Sequence, residues 1–285
     1  MNILAFTARQ CCYHMPADSL KWRLADMLER RLSSAQLPGK AVTRLPSGFS
    51  MKLDLADFIQ RTIYITGHWE PTIEREIEAC LGPGDIFIDI GANVGYFSLL
   101  AARLVGTRGQ VLAFEPNPQI FNALLSNISI NQRLAVSAYQ MALGNQQTTA
   151  ELFVAKPGNS GATSLTRSPS TTDQAEIVPV ERLDTVLSRL NVACPRLIKI
   201  DVEGSEVSVL EGMGDLLAGL WAPVIICEIS EYSLAQQGHS KEDIFDIMRR
   251  FGYKARLLPP VGVSTFSDTG VYLQYNVIFQ KKPFD

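Results

Sequence analysis

The sequence predicts an α/β protein with a doubly wound, largely parallel sheet, and two observations predict it. The first is a rhythm. Five short apolar runs, Ile86–Ile90, Gln110–Glu115, Val136–Gln140, Leu197–Asp201 and Val224–Ile229, alternate with helical patterns near 95–105, 118–130, 204–219 and 241–251. Strands buried on both faces read as continuous apolar runs, and helices between them imply parallel pairing. The second is a break. The run "DIFIDI" gives way to Gly91-Ala92-Asn93-Val94-Gly95 before an apolar helix begins. In an open parallel sheet a turn of this kind lies at the carboxyl end of a strand, where ligands bind.

The remaining elements are read in chain order. Leu20, Leu24, Met27 and Leu28 fall at helical spacing in "DSLKWRLADMLERRLSSA", with Asp18 or Ser19 as the starting cap. "AQLPGKAVTRLPSGFS" reads as a connector. "MKLDLADFIQRTIYITG" alternates and is rich in β-branched residues, which predicts short strands or a strand and a turn. "PTIEREIEACLGPG" predicts a short helix capped by Thr72, with Glu74 and Glu76 near its positive end and Gly82 as its stop. Residues 146–190 interrupt the rhythm: "TTAELFV" and "AEIVPVERLDTVL" read as strand material around the polar loop "KPGNSGATSLTRSPSTTDQ". Such a loop is either a lid over a site or an insertion without a role. "GYKARLLPP" and "GVYLQYNVIFQKK" read as a closing strand pair. Residues 1–70 are assigned to an N-terminal extension and 71–285 to the sheet domain.

Composition narrows the function. The chain has 285 residues, 46% of them hydrophobic, enough for one large core. A net charge of -3, a pI near 5.7 and the lack of a basic run argue against nucleic acid as a partner. Five cysteines without CxxC spacing read as reduced thiols. The N-terminus makes a poor signal peptide, and no apolar stretch reaches the ~18 residues of a membrane span. A cytoplasmic protein away from the membrane is expected.

Gly91 allows close backbone approach, and 24 positions later Glu115 ends the second strand. A carboxylate there can accept from both hydroxyls of a ribose, which points to a nucleoside-containing ligand. The dinucleotide pattern GxGxxG lacks its middle glycine here, which weakens an NAD(P)-dependent oxidoreductase without removing it. S-adenosylmethionine carries no phosphate, and Asp89 is expected to serve its ammonium or ribose.

Read together, "GHWEP", "DIFIDIGANVGYFSLLAA", "AFEPNP", "LDTVL" and "KIDVEGSEVSVLEG" resemble the FkbM family of S-adenosylmethionine-dependent methyltransferases in order and spacing, from about residue 60 onward. The resemblance implies the class I methyltransferase fold, a seven-stranded, mostly parallel sheet whose last strand is antiparallel. It also implies O-methylation of a hydroxyl on a sugar, polyketide or other specialised metabolite. By position it assigns Asp89, Gly91, Ala92, Asn93 and Gly95 to the first cofactor motif, and Glu115, followed by Pro116 and Asn117, to the ribose. Ala142 and Leu143 fall beside the adenine, Asp201, Glu203 and Gly204 form the fourth-strand motif, and Glu70 lies near the methionine end. The first ~50 residues fall outside the resemblance and are expected to select substrate or form a homodimer contact. A non-catalytic cofactor-binding scaffold is the remaining alternative.

A hydroxyl acceptor must lose a proton, which calls for a base or a metal. Asp201 and Glu228 close neighbouring strands, with Glu203 in the same turn, and crowded acids raise the pKa of at least one. Direct base or electrostatic action by Asp201 and Glu228 is favoured over Mg²⁺, and no metal ligands are assigned. His239 is a further base candidate, with a surface histidine before a helix as its plainer reading. His68 beside Glu70 is read in the same two ways. His14 with Cys11 and Cys12 makes an incomplete metal set, and Trp69 either lines an acceptor pocket or simply packs.

Overall fold

The computed structural model describes residues 9–10, 12–15, 19–31, 39–219, 222–259 and 274–282. Helix α1 (Ser19–Arg31) precedes a hairpin of β1 (Lys40–Arg44) and β2 (Ser50–Asp54), then α2 (Phe58–Thr66) and α3 (Pro71–Cys80). The α/β part follows as β3 (Ile86–Ile90), α4 (Tyr96–Val105), β4 (Gln110–Phe114), α5 (Pro118–Ser129), β5 (Val136–Tyr139) and β6 (Ala142–Leu143). An antiparallel arm of β7 (Thr148–Ala155) and β8 (Thr171–Glu181) comes next. It leads to α6 (Leu183–Leu190), β9 (Leu197–Ile200), α7 (Glu206–Glu211) and β10 (Val224–Ser230). The chain closes with α8 (Glu231–Gln236), α9 (Lys241–Arg250), β11 (Lys254–Leu258) and β12 (Gln274–Gln280).

Seven strands form the central sheet in the order β5-β4-β3-β9-β10-β12-β11. β5, β4, β3, β9 and β10 pair in parallel, and β12 runs antiparallel to both its neighbours. The order reverses between β3 and β9, so their carboxyl ends flank the crevice such sheets leave for ligands. Alternate residues of each strand feed different cores. Phe87, Val111, Leu197, Ile226 and Ile278 pack on one face with Ile77, Leu99 and the extension residues Met51, Leu53 and Ile63. Ile88, Leu112, Ile198, Ile225 and Phe279 pack on the other with Val186, Leu210 and Ile247. The extension therefore shares a core with the sheet. β6 joins the arm by pairing with β8, giving a separate three-stranded sheet.

Four local predictions are corrected. Phe58–Thr66 is a helix rather than strand or turn: the Asp57 carboxylate caps its first turn and Gly67, at φ 77°, closes it. Its β-branched residues are buried nearly all round, so their alternation carried no strand information. α3 begins two residues early, on Pro71, with Glu70 rather than Thr72 at the cap position. The helix near 204–219 divides into α7 and a separate 3₁₀ turn, Gly214–Leu217. Leu183–Leu190 is a helix, not strand. Helix α1 begins at Ser19, which is therefore not its cap, and the alternative cap Asp18 lies outside the described residues.

Candidate active site

A cavity of about 1370 Å³ opens at the carboxyl ends of β3, β4, β9 and β10. Its floor is the turn after β3. Gly91 sits at φ 81°, and a Cβ there would lie 1.8 Å from the carbonyl oxygen of Asp201. The bare backbone expected beneath a ligand thus serves first to bring the ends of β3 and β9 together. Every N–H of the turn is already accepted within the fold. Gly91 and Ala92 donate to the Phe114 carbonyl, Asn93 to Glu115 Oε2, Val94 to Asn93 Oδ1, and Gly95 to the Ala92 carbonyl. A pyrophosphate cradle needs such N–H groups aimed at the ligand. This turn offers none, which removes the structural basis of the dinucleotide reading. Gly95, at φ 90°, starts α4 and faces Leu124, away from the cavity lining.

Glu115 follows β4 and lines the cavity while only 6% exposed. Its Oε2 accepts the Asn93 N–H and its Oε1 the Asn117 N–H, each at 2.9 Å. Burial pushes its carboxyl up to about 7 against those two hydrogen bonds. A carboxylate oxygen carries two acceptor sites, so one on each oxygen is left for a vicinal diol. Pro116, Ala142 and Leu143 also line the cavity. Asn117 does not: its Oδ1 caps α5 by accepting from Gln119 and Ile120. Asp89 is likewise beneath the cavity rather than in its wall. It is 1% exposed, its Oδ2 accepts from Ser98 Oγ at 2.6 Å, and it pairs in register with Lys199 on β9.

On the far side of the turn the acids gather. Asp201, Glu203 and Glu228 offer carboxylate oxygens all within 4.8 Å of one another. Hard cations are held at such spacing; here the chain itself supplies one positive charge, Lys199 Nζ, 2.8 Å from Asp201 Oδ2. Burial opposes charge on Asp201, but the Lys199 ammonium and hydrogen bonds with Glu228 and Lys199 hold its carboxyl below the ordinary range. Burial, the Asp201 charge and the hydrogen bond to Asp201 push Glu228 well above it. Burial and the Asp201 charge raise Glu203 to about 8. The two directions are opposite: the ammonium favours the charged form of Asp201, while burial and Asp201 favour the protonated form of Glu228. Glu70, in left-handed backbone at φ 45°, also lines the cavity, and its Oε1 accepts from Asn276 Nδ2 at 3.1 Å.

His239 is not part of this site. It is 37% exposed, its Nδ1 lies 3.7 Å from Asp243, and it does not line the cavity. The reason is local: it precedes α9 at the surface, as its plainer reading had it. His68 also lies outside the lining, bonded through Nδ1 to Glu74 Oε2 at 2.8 Å. Glu74 in turn accepts from the Trp69 N–H and the Tyr96 hydroxyl, and Trp69 and Tyr96 do line the cavity. Trp69 packs edge-on to Phe58 at 6.3 Å. His14 is exposed, its ring edge-on to Tyr13, and Cys11 lies outside the described residues.

Sequence reasoning missed Lys199, and it left the polar loop open between a lid and an insertion without a role; the loop lines the cavity. The arm's loop, residues 159–170, covers the cavity together with Trp22, Phe58 and Arg61 of the extension. The two halves are joined: the Ser160 N–H donates to Asp57 Oδ2 at 2.6 Å and the Phe58 N–H to the Gly158 carbonyl at 2.8 Å. Ser164 Oγ ties the loop to the Glu203 carbonyl at 2.8 Å.

The strand order and the reversed strand β12 are those of the class I methyltransferase fold. The chain belongs to the FkbM methyltransferase family, a group that uses S-adenosylmethionine: the family's "Methyltransferase FkbM domain" matches residues 89–255. It is 32% identical over 166 residues to Methyltransferase 1 of Beauveria bassiana, covering 52% of this chain and 66% of that one. It is 30% identical over 203 residues to the 31-O-demethyl-FK506 methyltransferase FkbM of Streptomyces tacrolimicus, covering 60% and 75%. The hexuronic acid methyltransferase AglP of Haloferax volcanii is 29% identical over 133 residues, covering 47% and 52%. The chain thus spans from about half to three quarters of these relatives. Among solved structures, M. jannaschii TYW2 in complex with AdoMet is similar at a TM-score of 0.44 and 13% identity, over 87% of this chain and 86% of that one. No helix among the described residues is long and apolar enough to cross a membrane.

Proposed function

We propose that this chain methylates a hydroxyl of a small molecule, with S-adenosylmethionine as donor, to give a methyl ether. The observation that carries the reading is Glu115: a buried carboxylate at the cavity wall, with one backbone donor on each oxygen, beside a turn with no N–H to spare for phosphate. These residues fit the cofactor. Glu115 would hold the ribose hydroxyls, and Met141, Ala142 and Leu143 would face the adenine. The Streptomyces relative is named for an O-demethyl substrate, which supports oxygen as the methyl acceptor.

The cofactor, when bound, supplies a methyl group on a sulfonium, already activated for displacement. The chain's part is alignment and the proton. Alignment of two reactants in one cavity is worth several kcal/mol, on the order of 7 or more. As the C–O bond forms and the C–S bond breaks, the acceptor hydroxyl must lose its proton. Asp201 is ionised and lines the cavity, so it takes that proton; Glu228, protonated, donates its hydrogen bond to Asp201 and steadies it.

Among the described residues the cavity is lined by the carboxyls of Glu70, Glu115, Asp201, Glu203 and Glu228 and by the cations Lys199 and Arg61. Burial favours the uncharged form of Glu70, Glu115, Glu203 and Glu228, so polar and apolar contacts rather than net charge choose the acceptor. The roof offers hydroxyls from Ser160, Thr163 and Ser164, and Phe58 and Trp69 offer apolar faces. This suits a molecule that has both hydroxyls and an apolar side, and gives the extension a part in choosing it.

The test has two stages. Calorimetry with S-adenosylmethionine and S-adenosylhomocysteine is expected to show one site for each; no binding of either sinks the reading. Transfer of label from methyl-labelled cofactor is then measured on neutral glycosides, neutral polyketide alcohols and uronic acids. Label is expected on an oxygen of at least one class, and no transfer to any hydroxyl by a protein that binds the cofactor would overturn the acceptor reading.

A further inference from the structure

β9 reads Leu-Ile-Lys-Ile, an apolar strand with a lysine inside it. Lysine is almost never fully buried unless paired, and this side chain is 3% exposed. Its surroundings account for that. Lys199 Nζ lies 2.8 Å from Asp201 Oδ2 and 5.0 Å from the centre of the Phe97 ring. Asp89 is its register partner on β3, with Oδ2 held by Ser98 and Oδ1 without a partner. Glu70, before α3, acts on it electrostatically. Beyond Asp201 stand Glu228 on β10, Glu203 in the turn after β9, and Glu206 on α7, whose Oε1 accepts the Gly204 N–H. One ammonium thus lies among the carboxyls of Asp201, Asp89 and Glu70.

Three carboxyls within 4.8 Å cannot all be ionised together, because like charges at that distance disfavour each other strongly. Something must select the ionised one. Among the described residues the ammonium forms its ion pair with Asp201, whereas Glu203 meets the neutral Ser233 hydroxyl at 3.5 Å and Glu228 shares a hydrogen bond with Asp201 itself. We infer that Lys199 is a positioning residue that selects Asp201 as the charged member of the cluster and fixes its carboxylate for proton transfer, leaving the protons on Glu228 and Glu203. This rests on the reading of the cavity as an S-adenosylmethionine site.

A consequence separates this role from simple packing. A sulfonium is a second cation entering the same cavity. Without Lys199, Asp201 takes up a proton in the free protein and gives it up when a cation arrives. S-adenosylhomocysteine has the same shape but a neutral sulfur, and cannot drive that release.

The experiment is calorimetric titration at about pH 7 in phosphate and in Tris, whose different ionisation enthalpies report protons exchanged on binding. The proteins are wild type, Lys199→Met, Lys199→Arg and the double variant Lys199→Met/Asp201→Asn. For each, the proton count with S-adenosylhomocysteine is subtracted from that with S-adenosylmethionine. Lys199→Met is expected to release about one proton more than wild type in this difference, as linkage requires for one extra titrating group. Lys199→Arg should match wild type, and the double variant should lose the excess. An unchanged difference in Lys199→Met, or an excess that survives in the double variant, overturns the inference. A wild type that binds neither ligand fails the proposed function instead. A measurement on wild type alone guards against a variant that does not fold. Lysine labelled with ¹⁵N should show an ammonium signal protected from solvent exchange between about pH 6 and about pH 9, below the usual lysine pKa. Its absence also overturns the assignment.

Discussion

Replacing Glu115 by glutamine puts an NH₂ where both carboxylate oxygens now meet a backbone donor, Asn93 on one side and Asn117 on the other. One of those N–H groups must then face another donor. A buried donor left without an acceptor costs about 1–3 kcal/mol. An opposing contribution exists. Burial lifts Glu115 from 4.5 to about 7, so above pH 7 the wild type bears a charge-burial cost of about 3 kcal/mol at ~1.4 kcal/mol per pKa unit. Glutamine never ionises and escapes that cost. Near pH 8 the two contributions offset, and the thermal midpoint of Glu115→Gln should lie close to wild type. Near pH 5 only the lost acceptor remains, and the variant should be the less stable protein. Ligand affinity behaves differently. A hydrogen bond to a charged acceptor is worth about 1.5–3 kcal/mol, so losing one to the ribose weakens binding about 10- to 150-fold. Differential scanning calorimetry at both pH values, with titration of S-adenosylhomocysteine near pH 8, makes the comparison. A dissociation constant within about threefold of wild type in a fully folded variant would refute the ribose assignment.

Three other outcomes are expected. Glu70, Glu115 and Glu206 are raised to about 7 and Glu203 to about 8 from 4.5, chiefly by burial. Between those values the folded protein binds more protons than the unfolded chain, so stability falls as pH rises from about 4.5 to about 8; a ligand-free melting temperature higher at pH 8 than at pH 5 would contradict this. Asp201→Asn should lower kcat about 10²- to 10⁴-fold, as loss of a proton acceptor does, with little change in S-adenosylhomocysteine affinity by calorimetry, and full turnover would remove Asp201 from the chemistry. Gly91→Ala must accommodate a Cβ 1.8 Å from the Asp201 carbonyl oxygen. The left-handed backbone alone costs about 1–2 kcal/mol, and the displaced carbonyl carries Asp201 with it, so thermal midpoint and turnover should fall together; a variant with neither changed would show that β3 and β9 do not need this approach.

The central sheet was legible because its strands are apolar on both faces and their helices are not, which leaves few alternatives for 86–90, 110–115 or 197–201. The segment 58–66 was not, because Ile63, Tyr64 and Ile65 suit a strand as well as a helix buried on nearly all sides. Only the Asp57 and Gly67 caps, local signals easily outweighed by β-branching, marked the helix. At the site, Glu115 and Asp201 were legible from their places at strand ends. Asp89 was misplaced because alternation along a strand decides which way it faces, and it faces Lys199 in the neighbouring strand. Lys199 itself left a sign: a lone cation within the apolar run "LIKI" must find a counter-charge, and Asp201 stands two residues on. His239 carried no such sign beyond its chemistry.

The latch between Ser160 and Asp57 joins residues 103 positions apart. Asp57 also starts α2, where it accepts the Gln60 N–H, so one carboxylate both winds a helix and anchors the ceiling over the cavity. Exchanging the arm alone between relatives would leave that anchor gripping a foreign loop. Any attempt to redirect this methyltransferase toward another substrate has to transplant both ends of the bridge together, while the machinery beneath can stay where it is.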